Sequence, residues 1–443
     1  MFVIAAITAG LTISWGARVV AIGAAYKAKV LCSEVFVAER KIDAVLADLV
    51  VDDLSALKFI GASIDTDSKT ATASLYGLAE SHVSYREGIG CALSDGEATL
   101  DSIEIKPAQA ENPQPLESGS EINPKLNLVV DEAFVDSDPE HPKRTRALVI
   151  LHKGRIVIER YAADIGPDTP MPGWSMTKSV MNALTGILVK EERLTINTPA
   201  LANSWLAPGD PRNQITIEHL LQMSSGLAFD ENMANPLADV SRMILREPDM
   251  AAFAANMPLE AKPGTRWQYS TGTSNILAAV LRRVVGEKAY HQFPETALFR
   301  PIGMTRAVIE TDASGNFVGS SFMYATTRDW ARFGLLYLQD GVWNGKRILP
   351  EGWVQYSRTS GPADHQSSYG AHFWLDIHES FKGAGNILPK DTFHAIGHEG
   401  QFVTIIPSRE TVIVRLGKTR YPQAWKHDVF VQKVLGALEN KTQ

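Results

Sequence analysis

The chain has 443 residues, 45% of them hydrophobic and 21% charged, with a formal net charge of −7. This length exceeds one compact core and implies two or three folding units of ordinary globular composition. Acidic and basic residues are scattered and no long Lys/Arg run occurs, which argues against a nucleic-acid partner.

Residues 2–25 are apolar apart from Arg18 and approach the length of a membrane span. One reading is a signal peptide with a small-residue cleavage region at Ser14-Trp15-Gly16; another is an uncleaved membrane anchor. Either reading implies a periplasmic or membrane-anchored protein. A helix of a cytoplasmic protein is the alternative. No basic residue precedes the stretch, and Arg18, Lys27 and Lys29 lie on the side that disfavours export. The only cysteines are Cys32 and Cys91, whose pairing would suit an oxidising compartment; unpaired core cysteines are the other reading. Neither has a His or Cys nearby at ligand spacing, so no metal site is expected. No cofactor is expected either.

Residues 30–105 mix short alternating runs with charged segments and read as a small accessory domain. Residues 106–125, rich in Pro, Ser, Glu and Asn, read as a linker. The main domain spans 126–443. Leu126 to Phe134 has helical spacing. Ala147 to His152 and Arg155 to Tyr161 flank Lys153-Gly154 as a hairpin, and Gln401 to Ile406 and Thr411 to Leu416 form a second. Helices are expected over Ser175–Glu191, Ile217–Met223, Thr273–Val285 and Thr327–Leu338. Strands at both ends with helices between predict an α+β fold. Its antiparallel sheet is built from distant segments, flanked by helices, and carries a mostly helical insertion.

Ser175-Met176-Thr177-Lys178 is an S-x-x-K tetrad, and so is Ser55-Ala56-Leu57-Lys58. The spacing alone is weak. Ser175 follows a Pro172-Gly173 turn and opens an apolar helical pattern through Val180, Met181, Leu184, Ile187 and Leu188. That places its hydroxyl at a helix N-terminus, where negative charge is stabilised. Lys178, one turn on, shares the same face, and an apolar surrounding would lower its pKa. A capping Ser beside a solvated Lys is the bland reading. Ser55 lacks both the preceding turn and a downstream partner. Gly173-Trp174-Ser175-Met176-Thr177 ends in Thr where a nucleophile elbow needs Gly, and is read as accidental.

Further blocks follow the tetrad in order: Ile215 to Leu227, Lys262 to Thr271, Leu298 to Met304 and Ile396 to Gln401. Over about residues 126–436 the chain resembles the β-lactamase-related serine hydrolases: class C β-lactamases, DD-peptidases, esterases and 6-aminohexanoate-oligomer hydrolases. The stretches Gly319 to Phe322, Ala331 to Gly334 and Asp340 to Trp343 look closest to the last branch.

The resemblance implies Ser175 as acylated nucleophile, Lys178 as its base partner and Tyr269 as a proton shuttle to the leaving group. It places His398-Glu399-Gly400 at the family's K-T-G strand position, lining the substrate together with Gln401 and Trp174. It assigns the oxyanion hole to the backbone N–H groups of Ser175 and Gln401. Whether Lys178 or Tyr269 is the general base stays open.

Two departures bear on substrate. Thr271 stands where β-lactamases and DD-peptidases have Asn, and His398 replaces their Lys. Loss of a permanent cation for a substrate carboxylate predicts weak or absent penicillin turnover. A small-molecule amide or ester is the expected substrate. A peptidoglycan-directed DD-peptidase and an inactive binding protein on the same fold are the alternatives.

Overall fold

The structure is a computed structural model that describes residues 2–52, 57–94, 116–119, 123–385 and 387–439. Ser55 of the second tetrad and residues 106–115 and 120–122 of the expected linker lie outside the described residues. Helix α1 runs unbroken over Phe2–Phe36, followed by α2 (Ile42–Asp52). A four-stranded antiparallel meander comes next: β1 (Gly61–Asp65), β2 (Thr70–Leu75), β3 (Leu78–Arg86) and β4 (Gly90–Leu93). Ala24, Ala28 and Leu31 recur at helical spacing along one face of α1, against Ala71, Ala73 and Val83 of the meander. Cys32 and Cys91 are joined by a disulfide in this small core.

The expected cut between 1–25 and 30–105 therefore falls inside one helix. The apolar residues near the cut are core residues: Ile22, Ala24 and Ala25 are buried, and Lys27 and Lys29 are buried with them. The signal-peptide or anchor reading of 2–25 gains no support. Among the described residues, no helix is long and apolar enough to cross a membrane.

Buried polar contacts tie this unit to the rest. Lys29 pairs with the wholly buried Glu310, which also accepts from Ser33 Oγ at 2.9 Å and from the Cys91 N–H at 2.7 Å. Arg86 donates to Asp312 O at 3.0 Å. Removing one partner of such a buried pair is costly, because the other charge is left uncompensated. The disulfide closes 59 residues of chain, and a loop of that size corresponds to about 4 kcal/mol of unfolded-state entropy. The Cys32→Ser/Cys91→Ser double variant should accordingly show a lower urea midpoint, with the N-terminal unit melting first. An unchanged midpoint would contradict this.

In the main body, α3 (Pro124–Phe134) is followed by the hairpin β5 (Thr145–His152) and β6 (Arg155–Tyr161), then by the short β7 (Met171–Pro172). The helical insertion comprises α4 (Met176–Lys190), α5 (Ile217–Leu221), α6 (Asp239–Arg246), α7 (Met250–Ala255) and α8 (Thr271–Val285). Strands β8 (Val308–Ile309) and β9 (Met323–Ala325) pair with each other and with β7. After α9 (Thr327–Leu338) come β10 (Phe393–Gly397), β11 (Gln401–Ile406), β12 (Thr411–Gly417) and α10 (His427–Glu439).

The main sheet has the order β10-β11-β12-β5-β6 and is antiparallel throughout. Its period-2 alternation sends Val149, Leu151, Val403, Ile405, Val412 and Val414 toward α4 and α9. Leu148, Ile150, Phe402, Ile406 and Ile413 face α3 and α10 on the opposite side. A Cβ on Gly334 of α9 would stand 2.6 Å from Val412 Cγ1. The helix sits on the sheet at a distance that requires glycine there. The architecture is the α+β arrangement expected from the sequence.

Candidate active site

The nucleophile candidate sits on a turn fixed from both sides. The Gly173 N–H donates to Met323 O at 2.8 Å, and a Cβ on Gly173 would meet Trp330 Cζ2 at 2.3 Å. Trp174 then adopts a left-handed φ of 47°, an unusual conformation for a bulky residue. The chain enters α4 with Ser175 at its N-cap, yet the Ser175 side chain makes no capping hydrogen bond. A serine present only to cap would use its oxygen on a helix N–H. Instead Ser175 Oγ lies 3.1 Å from Lys178 Nζ.

Lys178 is 1% exposed. Its Nζ also donates to Ser320 O at 2.9 Å and reaches Thr271 Oγ1 at 3.4 Å. Burial lowers its pKa to about 8, and Glu231 opposes that shift. Tyr269 comes from the segment leading into α8, where Ser270 caps the helix on the Thr273 N–H. Its ring centroid is 4.8 Å from Lys178 Nζ, and the ring stacks on Trp374 at 5.3 Å. Burial raises the Tyr269 pKa well above the usual phenol range; Glu231 adds to this, and a hydrogen bond with Ser175 opposes it. Near neutral pH the phenol keeps its proton, while the amine titrates close by. The structure thus brings Ser175, Lys178 and Tyr269 together from two separate segments.

His398-Glu399-Gly400 is not strand. It forms a one-turn bend between β10 and β11, with Glu399 at φ 61° and Gly400 at φ 76°. The bend exists because Gly397 and Gln401 are paired across it and the chain must reverse within three residues. Trp174 Nε1 donates to Glu399 Oε2 at 3.2 Å, and the exposed His398 meets the Trp174 ring edge-on at 5.5 Å. Behind the bend, the wholly buried Arg415 donates to Gly400 O at 2.7 Å. The Gln401 side chain is turned away from Ser175 and bonds both backbone groups of Gly417, at 2.6 and 2.9 Å.

Sequence reasoning missed Glu231. This half-buried carboxylate accepts from the Thr271 N–H at 2.8 Å and from the Thr271 hydroxyl. It sits in an aperiodic loop, and the sole hint was Thr271 in place of Asn. Arg242 and Arg246 line a cleft of about 660 Å3 with Ala17, Arg18, Ala21 and Ile22 of α1. Among the described residues, no group of three or more His, Cys, Asp or Glu is placed to hold a metal ion.

The family described as Beta-lactamase matches residues 133–434. The 6-aminohexanoate-dimer hydrolase of Paenarthrobacter ureafaciens is 25% identical over 293 residues, 61% of this chain and 72% of that protein. A Bacillus anthracis structure assigned as a 6-aminohexanoate-dimer hydrolase superposes with a TM-score of 0.57 at 21% identity, covering 75% of this chain and 90% of its own. The D-stereospecific amidohydrolase from Streptomyces sp. gives a TM-score of 0.52 at 16% identity, covering 73% of this chain and 100% of its own. At those identities the two structures speak to the fold, and the fold agrees. With the family's match spanning most of the sequence, and the sheet and helical insertion in place, this chain belongs to the beta-lactamase family of serine hydrolases.

Proposed function

We propose that the protein hydrolyses amide or ester bonds of small substrates or short oligomers through an acyl-enzyme on Ser175. The observation that carries this reading is the 3.1 Å approach of Lys178 Nζ to a Ser175 hydroxyl that caps nothing. In this reading neutral Lys178 takes the Ser175 proton as Oγ bonds to the acyl carbon. The backbone N–H groups of Ser175 and Gln401 receive the charge developing on the carbonyl oxygen. Tyr269, still protonated, gives its proton to the leaving group and recovers one from Lys178. Water then repeats the sequence in reverse and frees Ser175. The amide-cleaving names of the relatives favour amides among the candidate substrates. The Cys32–Cys91 bridge supports a working place in an oxidising compartment.

A fluorophosphonate probe is expected to label the wild type and to leave Ser175→Ala unlabelled, with intact mass reporting one adduct. Labelling that survives in Ser175→Ala, or a folded wild type that never labels, would sink the reading; the second result would favour a binding protein. Benzylpenicillin, offered in parallel, is expected to turn over slowly, since His398 stands where a fixed cation would hold its carboxylate. Fast turnover would favour the β-lactamase alternative.

A further inference from the structure

We infer that Glu231 is a positioning residue of the catalytic centre: through the Thr271 hydroxyl it orients Lys178 toward Ser175 and stabilises the ammonium formed when Ser175 loses its proton. This deepens the hydrolase reading above and rests on it.

The argument is an accounting of protons. A threonine hydroxyl has one proton to give and lone pairs to accept with. Glu231 takes that proton and also accepts from the Thr271 N–H at 2.8 Å. Thr271 Oγ1 is thereby committed to accepting from Lys178 Nζ at 3.4 Å. Ser320 O, a carbonyl, can only accept, and does so at 2.9 Å. A neutral amine has two protons. With both directed to Thr271 and Ser320, its lone pair is left for the Ser175 hydroxyl at 3.1 Å. Once Lys178 becomes an ammonium, its third proton points at Ser175 Oγ, and all three protons have acceptors. Without Glu231 the Thr271 hydroxyl is free to turn and donate to the Lys178 lone pair, which would occupy the base.

The carboxylate that acts electrostatically on Lys178 is Glu231. The other titratable groups facing the pair are Tyr269 before α8, Tyr369 and His372 from the 369–372 segment, and Asp230 beside Glu231. Burial keeps Tyr369 protonated and pushes His372 down to about 3, so both are neutral at working pH. His372 bonds the Lys178 carbonyl at 2.8 Å, on the helix side of that residue.

The test is the pH dependence of kcat/KM for p-nitrophenyl acetate. Glu231→Gln removes the charge at nearly constant shape and is expected to move the Lys178 limb about one unit to lower pH. The plateau should fall about 100-fold with KM little changed. Glu231→Asp should restore part of the loss. Thr271→Val should lower kcat similarly, and Thr271→Ser, which keeps the hydroxyl, should recover most of that loss. A Glu231→Gln enzyme with the wild-type limb and kcat would overturn the inference, as would a fully active Thr271→Val. Retained activity in Ser175→Ala would instead overturn the hydrolase reading beneath it.

Discussion

Lys178→Met is expected to lower kcat/KM for p-nitrophenyl acetate about 10,000-fold, the upper range for removing a general base. Methionine fills the same buried volume without a charge, so the loss should not come from unfolding. The sign of the pH effect follows from burial. An ordinary lysine keeps its proton up to 10.5, whereas Lys178 is lowered to about 8. Below that pH the amine is occupied and cannot accept from Ser175. Wild-type kcat/KM should therefore rise with pH through about 8, and the residual activity of Lys178→Met should lack that limb. A variant within tenfold of wild type, or a wild-type profile flat across pH 7–9, would remove Lys178 from the mechanism.

Gly397→Ala is the second large effect. A Cβ at this position would stand 2.2 Å from the Gly173 carbonyl oxygen. That neighbour is backbone, held by the Gly173 N–H bond to Met323 O, so it cannot swing aside. The substitution must push the end of β10 away from the turn that carries Ser175. Gln401, paired with Gly397, would move with it. Activity should drop at least about 100-fold, the scale for losing one oxyanion donor. A fluorophosphonate probe should still react, more slowly, because Lys178 stays in place. Near-normal kcat would show that the bend at 398–400 does not position the reacting carbonyl.

The parts of this molecule legible in the sequence are those with a strong local rule. The position of the tetrad is legible because a turn, a serine and an apolar period place Ser175 at the N-cap of α4, and Lys178 one turn later cannot avoid that face. The hairpins at 153–154 and 407–410 read from turn residues between β-rich runs, and α9 from its uninterrupted period. Strand β10 was not assigned, because Phe393-His394-Ala395-Ile396-Gly397 is too short and too mixed to show alternation. The apolar run at 2–25 stayed ambiguous for a different reason. A helix packed on a sheet and a helix bound for lipid need the same side chains, and the packing of Ala24 with Ala71, Ala73 and Val83 leaves no local mark in the sequence. Glu231 had no local signal. Its role depends on Thr271, 40 residues downstream, and no periodicity connects a loop carboxylate to a helix start.

The central sheet carries a consequence for biosynthesis. Strand β5 has β12 as one of its neighbours, and the His152 and Thr411 side chains that meet across this pair are 259 residues apart in sequence. A nascent chain emerging from its amino end holds Ser175, Lys178 and Tyr269 long before β12 exists. During that interval one border of the β5–β6 hairpin is an open row of amides and carbonyls, available for pairing with another chain. Translation stalled before Thr411 should thus yield aggregates, whereas release after Gly417 closes the border and lets the polypeptide complete itself.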